Sequence, residues 1–417
     1  MKQRKIRSQL ALIAFVAWLP LVAVMAEERT QRPTQLPKMS VRVNTVGYWQ
    51  ALNHNIGDGS FNGLMSGFQS AAGNISFDGE MAPGLDLHFE VYLSSRHHEG
   101  QVTPREGYLM VTAPPAGLNF RPVQRLFDFI SVKAGHFEID FGNQHLRRSD
   151  NAQVQQNPLV GNYVVDPNVV YVGAEVFSKP QRLNWLLGLT NGQTTGDLQE
   201  GRGYAMHGKL WGDVSSSFSV AGSYYRVDQS QTPTGYPLGG SFSNLFAGNR
   251  SGGRYAGVLR GGGEPGQILP GNGQDITAWQ LDAAFEARTL SVRGHYGGVG
   301  DADINGTNPA DEATFDSPGE RWSYYGIEAV YNFNPSFYGA ARYSGATAEL
   351  LNGTAATGAV ERYQVGFGFW INNGILLKVE YVDQTYRDFD PEAVVDRLAV
   401  GKQPRLYGLI TEVSMAL

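Results

Sequence analysis

Two stretches of the chain carry side chains whose types and spacing could bind ions. In the first, oxygen-bearing residues have the spacing of the calcium-loop pattern D-x-[DN]-x-[DN]-G-x₅-E: Asp301, Asp303, Asn305, Thr307 and Glu312. Ca²⁺ prefers about six to eight oxygen ligands, and Gly306 would allow the sharp turn that lets these residues surround one ion. The spacing therefore predicts a calcium (Ca2+) site in this loop. The alternative is a solvated acidic loop in which the Asp and Asn residues only form turns.

The second stretch is a basic run that follows residue 142. It contains His145, Arg147, Arg148 and Asp150. If this run narrowed a water-filled passage, its charges would act more strongly than on an open surface, because the surroundings would be desolvated. We therefore interpret these four residues as a candidate pore constriction. The alternative is that Arg147 and Arg148 form salt bridges with Asp150 or Glu138 and anchor the loop.

Both stretches must be positioned by β-strands, and the strand pattern is clearest in the hairpin from residue 360 to residue 386. Its first arm alternates apolar residues such as Tyr363, Val365 and Phe367 with polar residues or glycine, and its second arm repeats this alternation. Asn372–Gly374 between the arms supplies the residues that a tight turn requires. Each arm is about ten residues long, which is the length with which a tilted strand crosses a bilayer. The hairpin therefore predicts two membrane-spanning strands.

The same alternation recurs along the chain and predicts sixteen strands. They cover residues 41–50, 71–81, 85–94, 105–112, 129–141, 169–177, 183–190, 204–211, 218–227, 276–287, 290–298, 322–333, 337–345, 360–371, 375–385 and 406–417. Short and long connections alternate between them, and 113–128 is the one long connection on the short side. Outer-membrane barrels have such short periplasmic turns and long extracellular loops. The predicted fold is all-β, with residues 41–417 forming a single antiparallel transmembrane β-barrel.

Two local patterns add detail to this barrel. The apolar residues change parity at Gly135, which predicts a β-bulge there. Aromatic residues near the strand ends predict interfacial girdles. They include Tyr324, Tyr325, Phe333, Phe337, Tyr338 and Tyr343.

Sixteen strands make a barrel that is wide enough for an aqueous channel. Water would meet the inward positions of the strands, where residues of both charge signs occur. The predicted lumen-lining residues are Lys133, Glu138, Asp140, Arg293, Arg342, Arg362, Lys378 and Glu380. Mixed signs on one face predict a hydrated lumen without a strong preference for cations or anions.

The first 26 residues have the pattern of a secretory signal peptide, with four basic residues, an apolar run from Leu10 to Val24 and the sequence Val24–Ala26 before Glu27. Residues 27–40 are polar and predict an unstructured periplasmic lead-in. Without the four basic residues of the signal, 29 of the 33 basic residues remain against 39 acidic ones, which leaves a net charge of −10. This balance argues against nucleic acid as a partner. The signal pattern predicts export, and with the barrel it predicts a location in the bacterial outer membrane. The chain has no cysteine, so no disulfide is expected.

One segment resembles a known family. The pattern G-x-F-x-x-x-F-G of residues 135–142, followed by Arg147–Asn151, is similar to the strand-to-loop segment of the phosphate-selective porin family and its uncharacterised porin-like relatives. This resemblance implies a sixteen-stranded, homotrimeric porin whose third extracellular loop folds into the lumen. The family's anion sites depend on several basic residues, whereas Arg147 and Arg148 lie beside acids. A pore for small solutes in general is therefore expected.

The predicted function is passive diffusion of small hydrophilic solutes or ions across the outer membrane of a Gram-negative cell, with the solutes and outer-membrane lipid as partners. The alternative is a non-conducting barrel with a structural or surface-interaction role, whose loops fill the lumen. A channel for hydrophobic substrates would need an apolar lining, which the polar inward positions do not favour. An enzyme is not expected, because the eight histidines are scattered without a serine or aspartate at an informative spacing.

Overall fold

The structure is a computed structural model. It describes residues 38–54, 66–68, 72–94, 103–114, 117, 120–148, 153–167, 169–192, 204–228, 245–246, 276–301, 304–307, 314–317, 319–351, 354–355, 358–388 and 405–417. The predicted signal and residues 27–37 of the predicted lead-in lie outside the described residues. The predicted end of the lead-in at residue 40 is wrong. Lys38–Ser40 pair with a neighbouring strand and belong to the first strand of the barrel.

Sixteen strands of the described chain form one antiparallel barrel in which consecutive strands are neighbours. They are β1 Lys38–His54, β2 Ala72–Ala82, β3 Leu85–Ser94, β4 Thr103–Val111, β5 Ile130–Glu138, β6 Val170–Ser178, β7 Leu183–Thr190, β8 Tyr204–Ser215, β9 Phe218–Asp228, β10 Ile276–Glu286, β11 Leu290–Asp301, β12 Arg321–Asn334, β13 Phe337–Leu351, β14 Ala359–Asn372, β15 Ile375–Arg387 and β16 Arg405–Ala416. Short strands at Gly67–Phe68 and Thr354–Ala355 pair with β1 and β13. The predicted all-β barrel is confirmed.

The first and last strands close the barrel. Strand β1 pairs with β16 in antiparallel register, from Asn44 opposite Ala416 to His54 opposite Leu406. The backbones of Val43 and Leu417 add two hydrogen bonds, of 3.1 and 2.9 Å, beyond the end of β16. A closed sheet leaves no row of unpaired N–H and C=O groups, which is the condition for strands to cross a lipid phase.

The two faces of the barrel wall have opposite character. In β14, Arg362 and Gln364 point inward and are each 1% exposed, whereas Tyr363 and Phe367 point outward and are 53% and 51% exposed. A surface with apolar side chains outside and charged ones inside is stable in lipid, where the apolar residues meet hydrocarbon. The described residues contain no helix that is long and apolar enough to cross a bilayer.

Tight turns join the strands at one end of the barrel, which we call the short-turn end, and longer connections join them at the other, the long-loop end. The connection between β4 and β5 is the exception at the short-turn end and contains a helix, α1 Arg121–Phe127. Pro122 lies in its first turn, where the missing N–H would have no partner in the helix. No helix was predicted here.

The β-bulge predicted at Gly135 is wrong. Strand β5 pairs with β4 and β6 without a shift of register. Gly135 has φ +140°, and a Cβ there would lie 2.7 Å from Tyr108 Cα, so this position requires glycine. Phe137 and Phe141, two of the apolar residues that follow the parity change, are completely buried.

Candidate pore site

Residues 142–148 and 153–167, which follow β5, lie inside the barrel, and we call them the lumen segment. It begins with a 3-10 helix at Gln144–Arg147. Its middle part is enclosed, since Asn157, Leu159 and Val160 are almost completely buried. The side chains that contact it include inward residues of β12–β15, and Lys209, Ser223 and Gln280 of β8–β10 contact its first residues. The segment therefore folds into the lumen, as the resemblance implied.

Lys378 on β15 holds the middle of the lumen segment through three backbone carbonyls. Its Nζ donates to the oxygens of Val154, Asn157 and Leu159 at 2.8, 3.2 and 3.1 Å. The same ammonium group lies 2.5 Å from the carboxylate of Glu412 on β16. Lys378 and Glu412 are both buried, so the ion pair is screened little by water.

Glu380, two residues further along β15, binds the segment through backbone N–H groups. Its Oε2 accepts hydrogen bonds from Val160 N at 2.6 Å and Gly161 N at 2.9 Å. Its Oε1 accepts a third hydrogen bond from Gln364 Nε2 at 3.1 Å. Two successive amides around one carboxylate oxygen make a charge-assisted contact that fixes the local backbone.

Arginine side chains on β13 and β14 complete the attachment. Arg342 donates to Gly161 O at 2.6 Å and to Asn157 Oδ1 at 2.7 Å. Arg362 donates to Asn162 O at 2.7 Å. The wall therefore binds the middle of the segment mainly through peptide groups, and the side chain of Asn157 adds one further contact.

The two arginines of the segment are in turn paired. Arg147 Nη1 lies 2.5 Å from Glu328 Oε1, which belongs to the wall. Arg148 Nη1 lies 2.7 Å from Asp166 Oδ2, which belongs to the segment itself. Of the two predicted partners, Asp150 lies outside the described residues. Glu138 accepts a hydrogen bond from Arg105 at 2.5 Å and also feels the charge of Arg148.

His145, another predicted constriction residue, is buried beside Asp140. Its Nε2 lies 3.4 Å from Asp140 Oδ1, which also accepts a hydrogen bond from Lys209 Nζ at 2.6 Å. Burial lowers the pKa of His145 to about 4, although the Asp140 carboxylate opposes this shift. Burial alone would raise the pKa of Asp140, but the Lys209 ammonium group offsets it and the pKa lies below its ordinary value.

Acidification should therefore destabilise the packed lumen segment through His145. A released His145 takes up a proton near pH 6.5 and the buried one only near pH 4, so the released state binds more protons between these values. The contribution of His145 to the free energy of unfolding is complete above about pH 6.5 and falls by on the order of 3 kcal/mol towards pH 4. Urea unfolding of the wild type and His145→Asn at pH 7 and 4.5 measures it. Equal losses in the two proteins would contradict the prediction.

The interior of the long-loop half contains a large apolar cluster. Inward residues of the strands there pack with the lumen segment and with Leu245 and Phe246 from the connection between β9 and β10. Phe246 contacts Phe141 and Tyr324 edge-on, with ring centroids 6.4 and 5.6 Å apart. The girdle prediction is wrong for Tyr324 and Tyr338, because Tyr324 is buried in this core and Tyr338 is buried in a second cluster nearer the short-turn end.

The short-turn half contains a cavity of about 630 Å³ below the lumen segment, which we call the vestibule. Its rim includes Glu286 and Asn332, which lie next to tight turns. Its inner end is bordered by Arg147 of the segment and by Asp282 and His295 of the wall. The described interior therefore changes from a polar cavity at the short-turn end to an apolar core at the long-loop end.

Comparison with known proteins finds similar folds but no matching sequence family. No family model and no curated protein sequence matches the chain. Solved structures that match include the anion-selective porin from Comamonas acidovorans (TM-score 0.51, 9% identity, covering 91% of this chain and 100% of that chain). Others are Salmonella typhi OmpF in complex with daunomycin (0.52, 12%, 91% and 98%) and the outer membrane channel DcaP of Acinetobacter baumannii (0.51, 10%, 93% and 99%). The chain has the porin fold. The predicted porin-like barrel is thereby confirmed, and the narrower resemblance to phosphate-selective porins stays a prediction.

Within this porin fold, the residues predicted to line the lumen have partners inside the barrel. Lys133 pairs with Glu175, Glu138 with Arg105, Asp140 with Lys209, and Arg293 with Glu286. The other four, Arg342, Arg362, Lys378 and Glu380, are covered by the lumen segment. These charges are therefore bonded to protein groups inside the barrel, and Arg293 and Glu286 are also half-exposed.

The predicted calcium loop is described only in part. Asp303 and Glu312 lie outside the described residues, and Asp301 ends β11. Asn305 and Thr307 lie in a short strand, Ile304–Thr307, that pairs with Thr314–Ser317. Gly306 is thus in the middle of a strand, where a sharp turn was expected. The part of the chain that the structure describes contains no group of three His, Asp or Glu side chains that could hold a metal ion. The calcium site stays a prediction.

Proposed function

We propose that the chain is an outer-membrane channel for passive diffusion of small hydrophilic solutes, with its short turns in the periplasm. The observation that supports this proposal most is the lumen segment, which charged residues of the wall hold across the interior of a closed barrel with the porin fold. A segment inside a barrel narrows the route and selects solutes by size.

The packing of the long-loop half bears on the size of the solutes. Lumen-segment residues Val160 and Val164 pack there against inward residues of the wall such as Tyr324 and Tyr386. A solute must pass this apolar core, so the channel should have a low unitary conductance and exclude large solutes. Planar-bilayer recording and swelling of proteoliposomes in solutes of graded size test the proposal. Absence of channel events at all voltages would overturn it.

The same apolar core supports a second candidate, a non-conducting barrel with a structural role. The two candidates differ in what happens when the lumen segment is detached from the wall. A channel conducts in the wild type and more strongly in a variant with a loosened segment, whereas the second candidate requires a wild type that never conducts.

We also propose that the barrel is a homotrimer, which light scattering of the detergent-solubilised protein tests.

The charge balance near the lumen segment should control ion selectivity. Arg147 and Arg148 neutralise Glu328 and Asp166. Replacing both arginines by alanine removes two positive charges and leaves carboxylates less neutralised, so the reversal potential in a salt gradient should shift towards cation selectivity. The matched control is the double variant of Arg121 and Arg125, which are exposed on α1. An unchanged reversal potential in the first variant would show that the lumen-segment arginines do not border the ion path.

A further inference from the structure

The inward residues of β2–β4 form a polar strip that runs from the short-turn end into the long-loop half. The strand residues of the large apolar cluster come from β1, β6 and β8–β16, and among the described residues none comes from β2, β3 or β4. On the inner face of β2 and β3 lie instead Asn74, Ser76, Asp78, His88 and Glu90. Ions need polar partners inside a protein, so this strip is the route past the apolar cluster that costs them least.

A β-bulge in β4 brings two successive side chains into the polar strip. Glu106 pairs with Glu90 and Pro104 pairs with Val91, so Arg105 is an extra residue in β4. Arg105 Nη1 lies 3.3 Å from Glu106 Oε2, and both side chains are directed into the barrel. Bulges occur often beside functional sites, where they re-aim a side chain.

The Arg105 side chain lies among three carboxylates. Besides Glu106, its Nη1 lies 3.3 Å from Glu90 Oε1, and its Nη2 donates to Glu138 Oε2 at 2.5 Å. We call Glu90, Arg105, Glu106 and Glu138 the Arg105 cluster. It therefore combines one guanidinium group with three carboxyl groups.

The Arg105 cluster is more accessible than the charges that the lumen segment covers. The side chains of Glu106 and Glu138 are 14% and 13% exposed. Arg362, Lys378 and Glu380 beneath the lumen segment are each 1% exposed or less. An ion in the lumen can therefore approach the cluster, whereas the lumen segment shields the other three residues.

Carboxylates are in excess in and around the Arg105 cluster. Lys133 and Arg148 act on it electrostatically, but each has a carboxylate partner of its own, in Glu175 and Asp166. In surroundings of low dielectric constant, an excess of carboxylates attracts cations and repels anions more strongly than on an open surface. The cluster therefore favours cations in a route that passes it.

The polar strip opens at the short-turn end into a cavity of about 370 Å³, which we call the acidic mouth. Three carboxylates and one histidine are among the residues that line it: Asp78, Glu80, Asp86 and His88. Arg42 of β1 pairs with Asp78 at 2.9 Å, and Lys38 of β1 is opposite Glu80 in the register. His88 Nδ1 lies 2.7 Å from Asp78 Oδ1 and His88 Nε2 lies 3.7 Å from Glu106 Oε2, so this side chain links the mouth to the cluster.

We propose that small cations cross the barrel along the polar strip and that the Arg105 cluster is the filter that selects them over anions. This inference rests on the proposed channel function, because it names the class of solute and the part of the wall that the solute follows. The filter acts through charge, whereas the lumen segment narrows the passage from the opposite side.

Reversal potentials in planar bilayers with a potassium chloride gradient test the filter. The wild type should prefer potassium, and Glu106→Gln should lower the permeability ratio of potassium to chloride several-fold because it removes one carboxylate charge. Glutamine keeps an oxygen that accepts the hydrogen bond of 2.6 Å from Glu138 N, so the fold should persist. Glu361→Gln is the matched control, because Glu361 pairs with Arg387 on the outer face of β14 and should leave the ratio unchanged.

Cysteine chemistry at the same position restores or inverts the charge, since the chain contains no cysteine of its own. Glu106→Cys should be less selective for cations than the wild type. A negatively charged methanethiosulfonate reagent should return its selectivity towards the wild type, and a positively charged one should shift it towards anions. Ser344→Cys is the control that should not respond, because Ser344 lies beneath the lumen segment and is 1% exposed.

The outcomes separate this inference from the proposed function. If the protein conducts and Glu106→Gln keeps the wild-type permeability ratio, the filter is wrong and the channel stands. A wild type that conducts and prefers chloride would overturn the filter in the same way, whereas a wild type that never conducts overturns the channel and the filter together. Heat-modifiable electrophoretic mobility shows whether each variant has folded, and Glu138→Gln removes a second carboxylate of the cluster if Glu106→Gln does not fold.

Discussion

Replacement of Lys378 by methionine should raise the single-channel conductance several-fold, because Lys378 holds the lumen segment against the wall. Its ammonium group donates to three carbonyls of the segment, and methionine fills similar space without a donor. The carbonyls of Val154, Asn157 and Leu159 would then be buried without this partner. Each unsatisfied buried acceptor costs about 1–3 kcal/mol, so the free energy of the segment falls when these carbonyls move into water. When the segment leaves the wall, the passage through the barrel becomes wider.

The variant also leaves the carboxylate of Glu412 without its cation, which could weaken the barrel itself. The double variant Lys378→Met, Glu412→Gln removes the buried pair together and isolates the loss of the carbonyl contacts. Lys179→Met is the matched control, since Lys179 Nζ donates to one carbonyl, Thr112 O, away from the lumen segment. Conductance in planar bilayers should rise in the single and double variants at Lys378 and remain at the wild-type value in Lys179→Met. A conductance at the wild-type value in all three variants would contradict the attachment of the segment by Lys378.

The strands could be predicted because a lipid surface imposes a strict alternation on them. Tyr363, Val365 and Phe367 of β14 face hydrocarbon, so every second position must be apolar whatever the opposite face contains. That requirement repeats in every strand and makes the sixteen-stranded barrel visible in the sequence. Only the ends of the strands differ, as at Lys38–Ser40, because pairing there continues beyond the apolar alternation.

The apolar interior of the long-loop half could not be predicted from alternation. Where both faces of a strand are apolar, the period of two that distinguishes inside from outside disappears. Tyr324 lies near a strand end and was assigned to the outer girdles on that basis, although it is buried in this interior. The parity change at Gly135 had the same origin, since Phe137 and Phe141 belong to the interior core.

The contacts that hold the lumen segment were also hidden, because they use the backbone. Lys378, Arg342 and Glu380 could be recognised as inward-facing charges from the alternation of their strands. Their partners are carbonyl and N–H groups of Val160, Gly161 and their neighbours, and every residue type carries such groups. Vestibule residues such as Trp370 and Asn332 lie next to tight turns, where the sequence shows only a strand end.

The largest loss of stability is expected at Glu328, which neutralises two arginines inside the barrel. Its carboxylate lies 2.5 Å from Arg147 Nη1 and accepts a hydrogen bond from Arg342 Nε at 2.9 Å. Glu328→Ala leaves both guanidinium groups buried without this counter-charge, and removing one partner of a buried ion pair costs about 3–5 kcal/mol. The free energy of unfolding, measured in urea with the barrel in lipid vesicles, should fall by this amount.

Glu286→Ala is the matched control for this loss. Glu286 pairs with Arg293 at the rim of the vestibule, and the two side chains are 46% and 39% exposed. Water screens such a pair, so the control should lose about 1 kcal/mol or less. In the double variant Glu328→Ala, Arg147→Ala, part of the stability should return, because one of the two uncompensated charges is gone. Equal losses at Glu328 and Glu286 would mean that water reaches the Glu328 carboxylate, and the lumen segment would then not seal this part of the barrel.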